Sequence, residues 1–131
     1  MNDPKQVIKG LMKKAEKNNS INSLLDISQQ IAGWMVYVSE LEGIAFQGYQ
    51  EAEYARKNFE ALYIQKSDES ATKAKELAII EASELREVET SMEVEHKQWQ
   101  IFRVTVREYL ESLRQKISYL KLENQTQKLT V

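Results

Sequence analysis

The chain has 131 residues, of which 29% are charged and 42% hydrophobic, and a formal net charge of −2. That balance excludes a chain too polar to fold, and no apolar run nears the ~18 residues of a membrane span. The chain contains no cysteine, which excludes a disulfide framework and thiolate chemistry. The first residues, Met1 to Gln6, have no apolar signal core, so a cytoplasmic location is expected.

Length and composition predict one helical domain over 1–131. Asp3-Pro4 reads as a helix start, an N-cap acceptor followed by proline at the first helical position. Val7, Ile8, Leu11, Met12 and Ala15 then give a short amphipathic helix over about 4–17. Lys17 to Asn22 reads as a turn, and Asn22 or Ser23 caps a long helix over about 23–66. Ser67 to Ser70 forms the next polar break and supplies a cap. A second long helix is expected over about 69–123, followed by a frayed tail at 124–131. At about 1.5 Å per residue these helices would span roughly 65 and 80 Å. Such lengths favour lengthwise pairing over wrapping around a globular core.

A heptad seam supports that reading. Leu24, Ile31, Val38, Ala45, Ala52 and Phe59 recur every seven residues, and Ile27, Trp34, Leu41, Gly48, Ala55 and Leu62 follow three positions behind. Ala71, Ala78, Leu85, Met92, Trp99, Val106, Leu113 and Leu120 repeat the spacing in the second long helix. This spacing keeps one narrow stripe against a partner helix. The expected fold is therefore all-α: a long antiparallel, coiled-coil-like helical hairpin with a short N-terminal helix. A fold-back centred on Asp68-Glu69 pairs residues whose numbers sum to 137, placing Ala45 opposite Met92 and Phe59 opposite Ala78. Gly33, Gly43 and Gly48 lie inside the first long helix, each at a cost of about 1 kcal/mol against alanine. Ala45, Gly48, Ala52 and Ala55 mark either a close approach or a kink.

Many apolar residues lie off the seam, including Tyr37, Phe46, Tyr49, Tyr54, Tyr63, Ile64, Ile79, Ile80, Ile101 and Val104. A lone hairpin would expose them, and exposed apolar patches mark association surfaces, so a homo-oligomer is expected.

Charge is polarised along the chain. Residues 1–17 carry +3, 18–66 carry −3, 67–96 carry −6 and 97–131 carry +4. In a hairpin this gives a basic open end and an acidic loop end. At the basic end Arg103, Arg107, Arg114 and Lys121 lie near one stripe with Lys97 and Lys116 flanking it, and Lys9, Lys13 and Lys14 come from the short helix. Cations in such a row can follow a phosphate backbone. Trp34, Tyr37, Trp99, Phe102, Tyr109 and Tyr119 are interleaved and could stack on unpaired bases, although Trp34, Trp99 and Phe102 sit on or beside the seam and fit a core role better.

Glu81, Glu84, Glu87, Glu89, Glu93 and Glu95 scatter around their helix without a Glu-x-x-His partner, so no metal site is expected from them. His96 is the lone histidine, and there is no glycine-rich phosphate loop or metalloprotease motif. The residues predict a non-enzymatic protein without a cofactor.

The segment Trp99 to Lys121 resembles the C-terminal helix of the phage recombination mediator proteins. The shared features are a tryptophan in a long helix, Leu110-Glu111, apolar Leu113, basic Arg114 and Lys116, and the Leu120-Lys121 ending. The likeness covers about Glu89 to Lys121, with a looser match over Ile31 to Ile64. Where the family tends to carry a basic residue, glycine and an aromatic in succession, this chain has Lys116-Ile117-Ser118. The resemblance implies a small helical oligomer that binds single-stranded DNA and loads a recombinase, with DNA roles for Arg114, Lys116 and Lys121. The alternative is a small phage-type protein-binding module, an inhibitor or adaptor, whose acidic helix at Glu81 to Glu95 occupies a basic groove on its target.

Overall fold

The computed structural model describes residues 3–129 and contains four helices and, among those residues, no strand. They are α1 (Pro4–Glu16), α2 (Ile21–Lys66), α3 (Ala71–Glu81) and α4 (Ser83–Leu129). The all-α class and the short first helix agree with expectation. Asp3 caps α1 through its carboxylate, which accepts from the Lys5 backbone N–H at 3.0 Å. Ser70 caps α3, accepting from the Lys73 N–H at 3.4 Å. The cap of α2 is Ser20, not Asn22 or Ser23: its hydroxyl accepts from the Ser23 N–H at 3.4 Å, and Asn18 Oδ1 holds the Ser20 N–H at 2.8 Å.

Two boundaries differ from the sequence reading. The expected single helix over 69–123 is two helices, interrupted at Ala82, whose φ of −89° and ψ of 9° leave the helical region. The ladder nevertheless continues across it: Ala82 N–H bonds Ala78 O at 2.9 Å, and Arg86 N–H bonds Ala82 O at 2.9 Å. The expected tail at 124–131 is helical through Leu129, and its last two residues lie outside the described ones.

The chain packs as two compact units, Met1–Glu40 with Gln100–Val131, and Leu41–Trp99. The first unit has a core of large residues. Ile8, Leu11 and Ala15 of α1, Leu24, Ile27, Ile31 and Val38 of α2, and Val106, Leu113 and Ile117 of α4 are all buried. Within this unit α1 runs parallel to α4. Lys5 lies over Phe102, Met12 meets Tyr109, and Ala15 meets Lys116, so residue numbers rise together on both helices.

The second unit is built differently. Its buried apolar residues are all alanines: Ala45, Ala74, Ala78 and Ala82. Here α2 and α4 run antiparallel, with Phe46 beside His96, Arg56 beside Glu89 and Glu60 beside Arg86. These pairs correct the register. Their numbers sum to 142–146, where a fold-back about Asp68-Glu69 required 137. Met92 also packs beyond its expected level opposite Ala45: a Cβ built on Gly48 would lie 3.6 Å from Met92 Sδ, a pair whose numbers sum to 140. The turn at 67–70 and the interruption at Ala82 add length to the returning arm that a straight hairpin lacks.

The α2 seam also drifts. Leu24, Ile31, Val38 and Ala45 are buried, Ala52 is half-buried, and Phe59 is 38% exposed. A strict seven-residue repeat on an unsupercoiled helix rotates by about 20° per heptad. Over the five heptads from Leu24 that is roughly 100°, enough to carry Phe59 off the contact line. Half-buried Arg56, Glu60 and Tyr63 take its place there.

Of the glycines in α2, Gly48 packs against Met92 at an ordinary van der Waals distance, whereas Gly33 and Gly43 face open space. A Cβ added at Gly33 or Gly43 meets nothing within 4 Å. Gly33→Ala and Gly43→Ala are each expected to raise stability by about 0.5–1 kcal/mol, because alanine loses less backbone entropy on entering a helix. Urea unfolding followed by circular dichroism reads this directly.

Candidate nucleic-acid interface

Of the nine basic residues singled out from the sequence, Lys97 falls in the second unit and the other eight in the first, but those eight do not form one surface. The stripe of α4 that carries α1 is Phe102, Tyr109 and Lys116, at seven-residue intervals. Arg107, Arg114 and Lys121 repeat the same interval five positions later. Five residues at about 100° each place this row roughly 140° around the helix from α1. The lysines of α1 and the arginine row of α4 therefore belong to different faces.

Lys116 has an internal role. Its ammonium donates to the carbonyls of Ala15, at 3.2 Å, and Asn18, at 2.9 Å. These oxygens belong to the C-terminal end of α1 and the turn beyond it, where Ala15 O also accepts from the Asn18 backbone N–H at 3.2 Å. Lys116 thus caps α1 from a neighbouring helix, an assignment its place in a basic run did not reveal. Tyr109 helps, donating its hydroxyl to Met12 O at 3.0 Å. At the other end of α1 the Lys5 ammonium sits 5.8 Å from the Phe102 ring centroid, within cation–π range.

Arg103 is half-buried and engaged within the protein. Arg114 is exposed and paired with Glu111 at 2.9 Å; such an i,i+3 surface pair is worth under about 1 kcal/mol. Lys9, Lys13 and Lys14 of α1, with Arg107 and Lys121 of α4, are exposed and meet no carboxylate among the described residues. Of the aromatic side chains in this unit, Trp34, Tyr37, Phe102 and Tyr109 are half-buried, and Tyr119 is exposed at 66%. The arrangement offers phosphate-binding cations with one exposed ring for stacking.

The second unit holds its charges differently. Arg56 makes two hydrogen bonds to Glu89, at 2.8 and 3.3 Å, and a third to Glu60 at 3.3 Å. Glu60 also accepts from Arg86 at 2.6 Å. Hydrogen bonding to Glu89 raises the Arg56 pKa above its ordinary value. Lys57 bonds Glu53 at 2.7 Å and lowers its pKa, and Glu93 likewise raises that of Lys97. Of the acidic residues noted from the sequence, Glu89 and Glu93 are therefore occupied internally. Glu81, Glu84, Glu87 and Glu95 are exposed and have no basic partner among the described residues.

The Tyr109 hydroxyl provides a pH test of how α1 is held. Desolvation first, and the nearby Glu16 second, raise its pKa above the ordinary value. The unfolded phenol ionises near pH ~10 and the folded one higher. This group's contribution is full below about pH 10 and is lost as pH rises through the folded value. The wild-type melting temperature is expected to fall more than that of Tyr109→Phe between about pH 9 and about pH 11. Equal falls would show that the hydroxyl contributes nothing there.

No group of three or more His, Asp or Glu side chains among the described residues is placed to hold a metal ion. No helix among them is long and apolar enough to cross a membrane.

Compared with family models, curated proteins and solved structures, the chain matches none of them.

Proposed function

We propose that this chain is a non-enzymatic accessory protein whose basic unit contacts single-stranded nucleic acid while its acidic unit engages a protein. The observation that supports this reading is the segregation of unmatched charge. The first unit holds eleven Lys and Arg against seven Asp and Glu; the second holds seven against thirteen. Lys9, Lys13, Lys14, Arg107 and Lys121 have no internal counter-ion, whereas most cations of the second unit are paired. Lys116 is a weaker candidate phosphate ligand, because two of its three ammonium protons are donated to Ala15 O and Asn18 O and hold its head group against α1. With one exposed ring, the nucleic acid is held mainly through its phosphates. Helices folded back as a hairpin and assembled into an oligomer would multiply these weak contacts. A recombinase as the protein partner follows from the mediator resemblance.

The test is binding to fluorescent single-stranded oligonucleotides over a range of salt. Each phosphate contact on a single strand contributes about −0.7 to the slope of log K against log salt. Removing Arg107, Arg114 and Lys121 together should make the slope shallower by about 2. No binding at low salt, or an unchanged slope, overturns the nucleic-acid reading.

A second reading is favoured by the unpaired carboxylates of the second unit. In it the chain is a protein-binding module acting through Glu81, Glu84, Glu87 and Glu95, with Glu89 and Glu93 supporting the helices from within.

A further inference from the structure

We infer that one side of the second unit is a docking groove for a cationic amphipathic helix of another protein. This rests on the protein-binding reading and gives it a surface and a partner chemistry. The two sides of the α2–α4 pair are unlike. On one side Arg56 and Glu60 of α2 bridge to Glu89 and Arg86 of α4. The opposite side of the contact line is carried by the next stripe of each helix. On α2 that stripe includes Ile44, Ala55, Phe59 and Leu62; on α4 it includes Val88. All are exposed, Ile44 at 65%, Val88 at 47% and Leu62 at 44%. At the end of α2, Phe59, Leu62, Tyr63, Lys66 and Ser67 line a cleft of ≈ 430 Å³.

Charge selects the occupant. Glu51 lies on the same α2 stripe, and Glu84 and Glu95 on the same α4 stripe, by i,i+3 and i,i+4 spacing. Glu84 and Glu95 meet no basic group among the described residues, and Glu51 accepts only from Gln47 at 3.1 Å. Arg56, Arg86 and Lys97 are committed to carboxylates elsewhere in the unit, and Lys66 at the end of the cleft leaves this side with three carboxylates against one cation. An apolar strip edged by unmatched carboxylates suits a helix with one apolar face and flanking lysines or arginines. A second copy presenting the same side would bring like charges together.

The probe is a fluorescent synthetic helix of leucine and lysine with one apolar face, added to the full-length chain. Two controls are a scrambled peptide of the same composition and a leucine–glutamate helix. The patterned cationic peptide should bind and the controls should not. Phe59→Ser with Leu62→Ser should weaken binding at least tenfold, and Glu51, Glu84 and Glu95→Gln together should weaken it about tenfold and flatten its salt dependence. All of these residues are exposed, and circular dichroism checks that the variants stay folded. Equal binding of the scrambled peptide, or indifference to Phe59 and Leu62, overturns the groove. If binding is instead lost on Glu81→Lys with Glu87→Lys, the acidic helix binds through another face: the groove falls and the protein-binding reading stands. If no cationic peptide binds at all, both fall. A concentration-dependent dimer abolished by Phe59→Ser would give the groove to a second copy and overturn the proposal.

Discussion

Leu113→Ala is expected to destabilise the protein by about 2–5 kcal/mol, whereas Leu62→Ala should cost less than about 1 kcal/mol. Both leucines occupy seam positions. Leu113 is 4% exposed, and Leu62 is 44% exposed. Truncating Leu113 removes transfer free energy and leaves a cavity beside neighbours such as Val106 and Ile117, which are themselves buried. Leu62 already meets solvent, so there is little cavity to create. Urea unfolding of the two variants decides the point. Equal losses would mean that Leu62 is packed as closely as Leu113 despite its exposure.

Arg56→Met is expected to cost about 1–3 kcal/mol, mostly by stranding its carboxylate partners. The Arg56 side chain is 17% exposed, as is Glu89, and its hydrogen bonds to Glu89 come from two different nitrogens. Removing it leaves Glu89 without its cation and Glu60 with Arg86 alone. Lys57→Met removes a shorter contact, 2.7 Å, yet should cost under about 1 kcal/mol, since the Lys57 side chain is 62% exposed. The comparison tests whether an alanine core needs a polar clamp. Equal effects of the two substitutions would argue that solvent screens Arg56 as fully as Lys57.

Much of the first unit was legible in the sequence. Asp3-Pro4 announces its helix start by chemistry that works locally, and Leu24, Ile31, Val38, Val106 and Leu113 announce a core by large side chains at seven-residue spacing. The second unit was less legible because its packing depends on small quantities that accumulate. Drift of the seam displaces Phe59 although its heptad position is correct. The break at Ala82 has no signal in Glu81-Ala82-Ser83, since alanine favours helix and neither glycine nor proline is near. The register followed that break. Within the candidate interface, the basic residues were visible as types, but their division between faces was not. That division depends on which stripe of α4 accepts α1, and Tyr109 and Lys116 settle it through carbonyls that any residue could have supplied.

The direction of α1 has a practical consequence for labelling. Because α1 runs alongside α4 in the same sense, Lys5 lies beside Phe102, so a label at the start of α1 sits at the flank of α4. Leu122 lies twenty residues further along that helix, about 30 Å away at 1.5 Å per residue. Spin labels at Asp3 and Leu122 should report a separation of about that size. Had the first helix run the other way, the same pair of labels would sit within touching distance.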